Sequence, residues 1–328
     1  MDEKDTLHLI NMNDVESTPV EWLIEPYFPL GKTTVLQGDP GDGKTTIILQ
    51  IAAWLSNGKR LPDDNNEYEP INIIYQTAED GLADTVKPRL LAANADTKRF
   101  MVIDESEADL TMTDKRLEQA IIKTNAKLVI LDPIQAYLGA SVNMNSANDV
   151  RSQMKPLACL AEKYKCAFVL IGHMNKAAGM SALYRSLGSI DFAAAARSVL
   201  LVSRVKDNPT IRVMAQIKSS LAPEGEPIAF EFSKHSGIKY IGKYTITVDE
   251  LINGAPRSTK SEMAEKMLTD MLADGVAKSS NFLKQQADYR NISFRTLTDA
   301  KKNLGISSFK QGNTWFWVLK KPTTQQSE

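Results

Sequence analysis

Cysteine is scarce in this chain of 328 residues, which has only 2 cysteines and 3 histidines. Cys159 and Cys166 stand seven positions apart in one apolar segment, without a histidine beside them. This arrangement favours neither a disulfide nor a metal site, because both need more partners than the segment offers. The sequence therefore predicts two buried, reduced thiols.

Long apolar runs are also absent. No stretch approaches the roughly 18 consecutive apolar residues that a membrane helix needs. The charged lead-in at residues 1–14 has no apolar segment typical of a signal peptide. With 43% hydrophobic and 24% charged residues, the composition is that of an ordinary globular protein. We therefore expect a cytoplasmic protein with no membrane partner.

A glycine-rich stretch after the apolar run 33–37 organises the rest of the sequence. It matches the pattern G-x-x-x-x-G-K-[ST] and leads into an apolar helical pattern, the context that this motif requires. The backbone N–H groups of such a loop bind phosphate, helped by the N-terminus of the helix. The motif predicts a nucleoside triphosphate bound by Gly38, Asp39, Pro40, Gly41, Asp42, Gly43, Lys44, Thr45 and Thr46. Lys44 would reach the β- and γ-phosphates, and the Thr45 hydroxyl would hold Mg²⁺.

Two acidic residues follow predicted strands. Asp132 ends the apolar run 127–131, where a carboxylate can hold Mg²⁺ directly or through water. Glu79 follows the strand 71–75 and can polarise the water that attacks the γ-phosphate. The alternative for an acid here is an interaction with a helix N-terminus, a role that suits Asp80 better.

His173 follows the strand 168–172 and is expected at the same rim of the sheet. It could sense the γ-phosphate or have a structural role. The loop 174–188 comes next and contains Asn175, Lys176 and Arg185. These residues suit contacts with a nucleic-acid backbone, although an ordinary solvated loop would have a similar composition.

Strands alternate with helical patterns through residues 15–250. This alternation predicts an α/β domain with a mostly parallel, twisted sheet and helices on both faces. The closely spaced last strands indicate an antiparallel extension. The predicted strands are 100–103, 128–131, 168–171, 199–202, 211–216 and 228–232, and the predicted helices between them are 82–92, 116–124 and 150–164.

A linker is predicted at 251–260, a small domain at 261–320 and a disordered tail at 321–328. Residues 257–328 carry 12 Lys and Arg against 7 Asp and Glu, whereas the rest of the chain has a net charge of −6. The small domain shows three helical patterns, 262–272, 279–288 and 293–304, followed by two β-like segments within 305–319. This order predicts a winged helix, with a recognition helix from residue 293, or a small helical module for protein contacts.

Taken together, the motifs resemble the RecA-like hexameric P-loop ATPases, especially the RepA-type replicative helicases of plasmids and phages. The resemblance covers about residues 20–232, and a weaker one to a winged-helix-like tail covers 262–319. It rests on segments that occur in the family in this order: 22–24, the phosphate loop, 77–81 with 89–90, 131–133, 172–176, 184–189 and 195–199.

The resemblance implies a role for each matching residue. Lys44 and Thr45 bind phosphate and Mg²⁺, Glu79 is the catalytic carboxylate and Asp132 supports the metal. His173 links the γ-phosphate to the DNA-binding loop that follows it. In such rings a neighbouring subunit contributes Lys and Arg from a Lys-x-Arg segment, which here reads Lys218, Ser219, Ser220. Lys218 is kept, and either Arg197 or Arg185 replaces the missing arginine or turnover between subunits is weak.

These patterns predict an ATP- and Mg²⁺-dependent DNA motor. It would form a hexameric ring on single-stranded DNA and act as a helicase in replication of a plasmid, phage or integrated element. A primase or replication initiator is an expected partner, as is duplex DNA at the C-terminal domain. One alternative is an ATP-switched DNA-binding scaffold that does not unwind DNA. A small-molecule kinase is another, but no acceptor pocket is evident.

Overall fold

A computed structural model describes residues 9–139, 142–173, 190–233, 237–253, 260–290 and 292–319. The chain divides into two compact units, Met1–Ala255 and Pro256–Glu328. Each unit has its own hydrophobic core. The predicted tail, 321–328, lies outside the described residues.

A nine-stranded sheet forms the centre of the first unit, with strand order β11-β10-β9-β8-β3-β7-β6-β4-β5. From β5 to β8 all neighbours are parallel, and β8 to β11 pair antiparallel. A short pair, β1 and β2, precedes them. The strands are β1 (Trp22–Ile24), β2 (Phe28–Pro29), β3 (Thr33–Gly38), β4 (Ile73–Thr77), β5 (Phe100–Met101), β6 (Leu128–Asp132), β7 (Ala167–His173), β8 (Ser198–Val205), β9 (Asn208–Ser219), β10 (Ile228–Ser233) and β11 (Gly237–Lys243).

Successive residues of the buried strands point to opposite faces of the sheet, so both faces carry apolar side chains. Helices cover both faces. Leu36 packs with α1 and Tyr75 on one face, whereas Val35 packs with α3 and α4 on the other. The parallel sheet is therefore buried on both sides, as the alternating pattern predicted. The helices are α1 (Lys44–Ser56), α2 (Lys87–Ala92), α3 (Lys115–Thr124), α4 (Ala147–Tyr164), α5 (Ile190–Ala195) and α6 (Val248–Asn253).

The second unit contains three helices and a three-stranded antiparallel sheet of order β12-β14-β13. Leu268, Leu283 and Leu297, one from each helix, are fully buried in its core beside Trp317. The elements are α7 (Lys260–Leu272), β12 (Lys278–Ser279), α8 (Ser280–Tyr289), α9 (Phe294–Asn303), β13 (Ser307–Gln311) and β14 (Thr314–Val318).

Several local expectations differ from the structure. The helix predicted at 82–92 begins with a π-helical turn, Leu82–Val86, before α2. The predicted linker begins too early, since Asn253 ends α6 and Leu251 packs in a small core beside β8 and β9. The prediction of two buried cysteines is wrong for Cys159, which is exposed, although Cys166 is buried.

No helix in the described ranges is both long enough and apolar enough to cross a lipid bilayer.

Candidate functional site

The phosphate loop joins β3 to α1 at the carboxyl edge of the parallel strands. Gly41 and Gly43 have φ of +79° and +91°, which a residue with a side chain rarely adopts. Gly43 is the N-cap of α1, so no capping side chain accepts a hydrogen bond from the first N–H groups of that helix. These groups can therefore bind an anion, and the helix dipole favours one there.

The Lys44 side chain is buried at the centre of the site, with 5% of the residue exposed. Its Nζ donates to the carbonyl oxygens of Gly38 and Asp39, at 2.9 and 3.0 Å, and lies 3.3 Å from Nδ1 of His173. Because an ammonium can only donate, Nδ1 is the atom that would accept in this contact. Burial lowers the pKa of Lys44, while nearby carboxylates oppose that shift. The structure thus brings His173 beside Lys44 of the phosphate loop.

Asp132 lies at the end of β6, directly beside the start of α1. Its Oδ2 accepts hydrogen bonds from Thr45 Oγ1 at 2.6 Å and from Tyr75 Oη at 3.2 Å. Burial raises the pKa of Asp132, and these two hydrogen bonds act against the rise. The hydroxyl and carboxylate oxygens are ligands that Mg²⁺ accepts, and such sites leave other positions to phosphate and water. The two residues fit the metal expected beside a phosphate loop.

Glu79 and Asp80 follow β4 but have different surroundings. The Ala78 N–H donates to the Asp132 carbonyl at 3.2 Å, which holds this segment beside β6. Asp80 pairs with Arg89 at 2.5 Å. Glu79 is exposed, and among the described residues its carboxylate has no hydrogen-bond or ion-pair partner. Its charge adds to the burial that raises the pKa of Asp132. Of these two acids, Glu79 is therefore the one whose carboxylate is exposed and not paired with a described residue.

Arg204, near the end of β8, is a residue that the sequence patterns did not identify. Its Nε lies 3.0 Å from Asp42 Oδ1, and its Nη2 donates to the Gly41 carbonyl at 2.6 Å. The contact joins residues 162 positions apart. No motif links them, so only the pairing of β3 with β8 brings them together.

Lys218 and Arg197 lie at the opposite edge of the sheet. Thr34 pairs with Ser198 and Val199 pairs with Lys218, which places both residues at the start of β3, whereas the phosphate loop follows its end. Lys218 Nζ donates to the carbonyls of three residues at the end of α5, at 2.8, 2.9 and 2.9 Å: Ala193, Ala194 and Ala196. Arg197 is exposed. Neither residue reaches the phosphate loop of its own chain.

The predicted DNA contacts Asn175, Lys176 and Arg185 fall outside the described residues. They remain sequence-based predictions. His173 is the last described residue before them, and α5 begins directly after that segment.

Comparisons with known proteins give a family and a fold. Residues 4–179 match the model of the AAA domain family. The DNA repair protein RadA of Halalkalibacterium halodurans is 25% identical over 236 residues, which are 70% of this chain and 45% of that protein. RadA of Mycobacterium tuberculosis is 27% identical over 149 residues, 44% of this chain and 28% of the relative. The chain thus spans less than half the length of these relatives.

Among solved structures, the ATPase domain of G40P is similar with a TM-score of 0.50 at 14% identity. The match covers 65% of this chain and 85% of that domain. At this identity the likeness concerns the fold alone, and it agrees with the RecA-like arrangement expected from the motifs. Since the family match extends over more than half of the sequence, this chain belongs to the AAA domain family, and its first unit has the fold of RecA-like P-loop ATPases.

Proposed function

We propose that this protein is an ATP- and Mg²⁺-dependent DNA motor that works as a hexameric ring on single-stranded DNA. Its role would be helicase work in the replication of a plasmid, phage or integrated element. The observation that carries the proposal is the meeting of Lys44, Thr45, Asp132 and His173 at one edge of the sheet. The RadA relatives, named as DNA repair proteins, support a role on DNA.

The chemistry follows from the positions of the side chains. Lys44 would move its ammonium from the loop carbonyls to the phosphates, and Thr45 and Asp132 would hold Mg²⁺. When bound, the metal supplies positive charge that offsets the charge developing on the transferred phosphate. Glu79, which is exposed beside Asp132, would orient and polarise the attacking water.

His173 would connect the nucleotide to DNA. Phosphate competes for the Lys44 ammonium that now lies 3.3 Å from the imidazole. His173 directly precedes the segment 174–188, which carries the predicted DNA contacts. A change of hydrogen-bond partner at His173 would therefore bias that segment, which is how a phosphate-dependent switch acts.

A second candidate function is an ATP-switched scaffold that binds DNA without unwinding it. Lys218 and Arg197 would have to act on the nucleotide of a neighbouring subunit, because they lie at the far edge of the sheet in their own. Lys218 would also have to leave three carbonyl oxygens that it now contacts. The specific observation that favours this candidate is that Ser220 stands where an arginine is expected. Without that arginine, hydrolysis between subunits would be weak.

The C-terminal unit would bind duplex DNA as a winged helix. It has the required three helices and a β-hairpin, and Ser293 caps α9 by accepting from the Thr296 N–H at 3.2 Å. Arg295 and Lys302 are on the exposed side of α9, opposite the buried Leu297. These two cations flank the exposed Asp299, and the net positive charge of that face would allow α9 to enter the major groove.

The first experiment is steady-state ATP hydrolysis with and without single-stranded DNA, using Lys44→Ala as the blank. Glu79→Gln should bind ATP but not hydrolyse it, since the amide cannot act as a base. Asp80→Asn is the matched control, because its carboxylate is already paired with Arg89 and turnover should persist. Equal loss in both variants would remove Glu79 from the mechanism.

Strand displacement on a forked duplex then separates the two candidates. DNA-stimulated hydrolysis with displacement supports the motor. ATP-dependent assembly, measured by sedimentation velocity, without strand displacement would support the scaffold instead. Hydrolysis that DNA does not change would contradict the motor.

Duplex binding tests the C-terminal unit. Arg295→Ala should weaken binding and reduce the slope of log K against log salt by about 1, because one phosphate contact is lost. Lys266→Ala, an exposed lysine on α7, is the control and should leave the slope unchanged. Equal effects of the two changes would argue against α9 as the recognition helix and favour a role in protein contacts.

A further inference from the structure

Asp42 is an unusual residue for a loop that binds anions. It lies inside the phosphate loop, next to Gly43, and only 6% of it is exposed. A carboxylate here adds negative charge close to where the triphosphate must bind. Coulomb repulsion falls off slowly in a partly buried site, so this charge needs a partner if the loop is to bind phosphate well.

Arg204 supplies that partner from a neighbouring strand. Its Nε is 3.0 Å from Asp42 Oδ1, and its Nη2 donates to the Gly41 carbonyl at 2.6 Å. The pairing of β8 with β9 shifts register between Arg204 and Val205, and such shifts commonly redirect a side chain at the end of a strand. A Cβ on Gly41 would lie 2.9 Å from Arg204 Nη2. The glycine therefore leaves the space through which the guanidinium reaches the loop.

We propose that Arg204 is a positioning residue of the nucleotide site: it neutralises Asp42 and holds the backbone of residues 41–42, and so makes an acidic loop able to bind the triphosphate. Arg204 acts through Asp42 rather than on the reacting atoms. The inference rests on the proposed function, because ATP must be the ligand of this loop.

The surroundings of the pair agree with this role. Burial raises the pKa of Asp42, and the charge of Arg204 is the largest opposing influence. The Arg204 side chain is 46% exposed whereas that of Asp42 is 9% exposed, so the carboxylate depends on the pair more than the guanidinium does. Losing Arg204 would leave a charged group with little water around it, which is the costly case for a broken ion pair.

The test is equilibrium binding of a fluorescent ATP analogue in the presence of Mg²⁺, measured on the full chain. Arg204→Gln should weaken binding about tenfold or more, since it leaves the Asp42 charge uncompensated beside the phosphates. Asp42→Asn should tighten binding, because Arg204 then adds unpaired positive charge. The double variant should return to within about threefold of the wild type, as expected for two coupled residues. Lys206→Gln removes an equal charge just after β8 and should leave binding unchanged.

Each outcome decides the question. A double variant that binds the ATP analogue as weakly as Arg204→Gln alone would overturn the inference, because Arg204 would then contact the nucleotide directly. Unchanged binding in Arg204→Gln would also overturn it, while leaving the proposed function intact. A wild-type protein that binds no ATP would overturn both. Arg204→Lys is the control for misfolding. It keeps the positive charge beside Asp42 and should retain most of the affinity for the ATP analogue if the ion pair has the proposed role.

Discussion

Two buried tyrosines allow the same chemical change to be made in opposite surroundings. Tyr75 and Tyr137 are each 1% exposed. The Tyr75 hydroxyl donates to Asp132 Oδ2 at 3.2 Å, whereas the Tyr137 hydroxyl is buried without a hydrogen-bond partner among the described residues. Tyr75→Phe and Tyr137→Phe each remove one oxygen atom and leave the ring in place. Only Tyr75→Phe should lower the stability of the protein.

The magnitudes follow from the contacts. A hydrogen bond to a carboxylate contributes about 1.5–3 kcal/mol, and the 3.2 Å distance places Tyr75 near 1.5 kcal/mol. For a unit of this size, about 2–4 °C of Tm corresponds to 1 kcal/mol, so Tyr75→Phe should lower Tm by about 3–6 °C. Removing the unpaired Tyr137 hydroxyl relieves a desolvation cost, so Tyr137→Phe should leave Tm unchanged or raise it by a few degrees.

Differential scanning calorimetry of the full chain measures both variants, without nucleotide or Mg²⁺ so that ligand binding does not contribute. The transition of the first unit is identified because neither change should move that of the second. Equal losses of Tm in the two variants would refute the reasoning. That result would mean that the volume of the oxygen atom, and not its hydrogen bond, determines the effect.

Three further outcomes are expected. Asp132→Asn should abolish Mg²⁺-dependent hydrolysis yet raise Tm at pH 7, because burial disfavours the charged carboxylate and raises the pKa of Asp132. The gain in Tm should shrink as falling pH protonates the wild-type carboxyl group, which calorimetry at several pH values checks. Leu268→Ala should destabilise the second unit by about 2–5 kcal/mol through the cavity it leaves, while ATP hydrolysis stays within twofold of the wild type. A thiol reagent should label Cys159 in the native protein but reach Cys166, whose pKa burial raises to about 12, only on unfolding; Cys159→Ser should remove the native reaction.

The core of the site was predictable because a local sequence pattern marks each of its parts. The phosphate loop and α1 are adjacent, and Asp132 and His173 each end an apolar run. Parallel strands place their carboxyl ends at one edge, so these residues had to meet once the sheet was inferred. The strand order, by contrast, depends on contacts between distant residues that periodicity does not specify.

Two features show where sequence reasoning stopped. Helix α4 buries Val150, Met154, Leu157 and Ala161, which repeat at helical spacing. Cys159 falls between the last two of these and therefore lies on the opposite, exposed face of α4. The prediction that Cys159 is buried relied on its apolar neighbours in the sequence, whereas the helical period of 3.6 residues would have placed it on the exposed face. Arg204 had no such local signal, because its partner Asp42 is brought to it only by the assembled sheet.

The outer glycines of the phosphate loop have a consequence for mutational surveys. A Cβ on Gly38 would collide with the Val202 carbonyl oxygen, and one on Gly43 would lie 2.7 Å from the Phe232 ring. Alanine at Gly38 would disturb the backbone of β8, and alanine at Gly43 would have to adopt a strained φ near +91° and displace the Phe232 ring, with or without a ligand. A screen for ATP binding would score such variants as defective in phosphate contact, although the primary damage is to the packing around the loop. Lys44 and Thr45 are thus the positions that report on the ligand, and the two glycines report on how the neighbouring strands press against the loop.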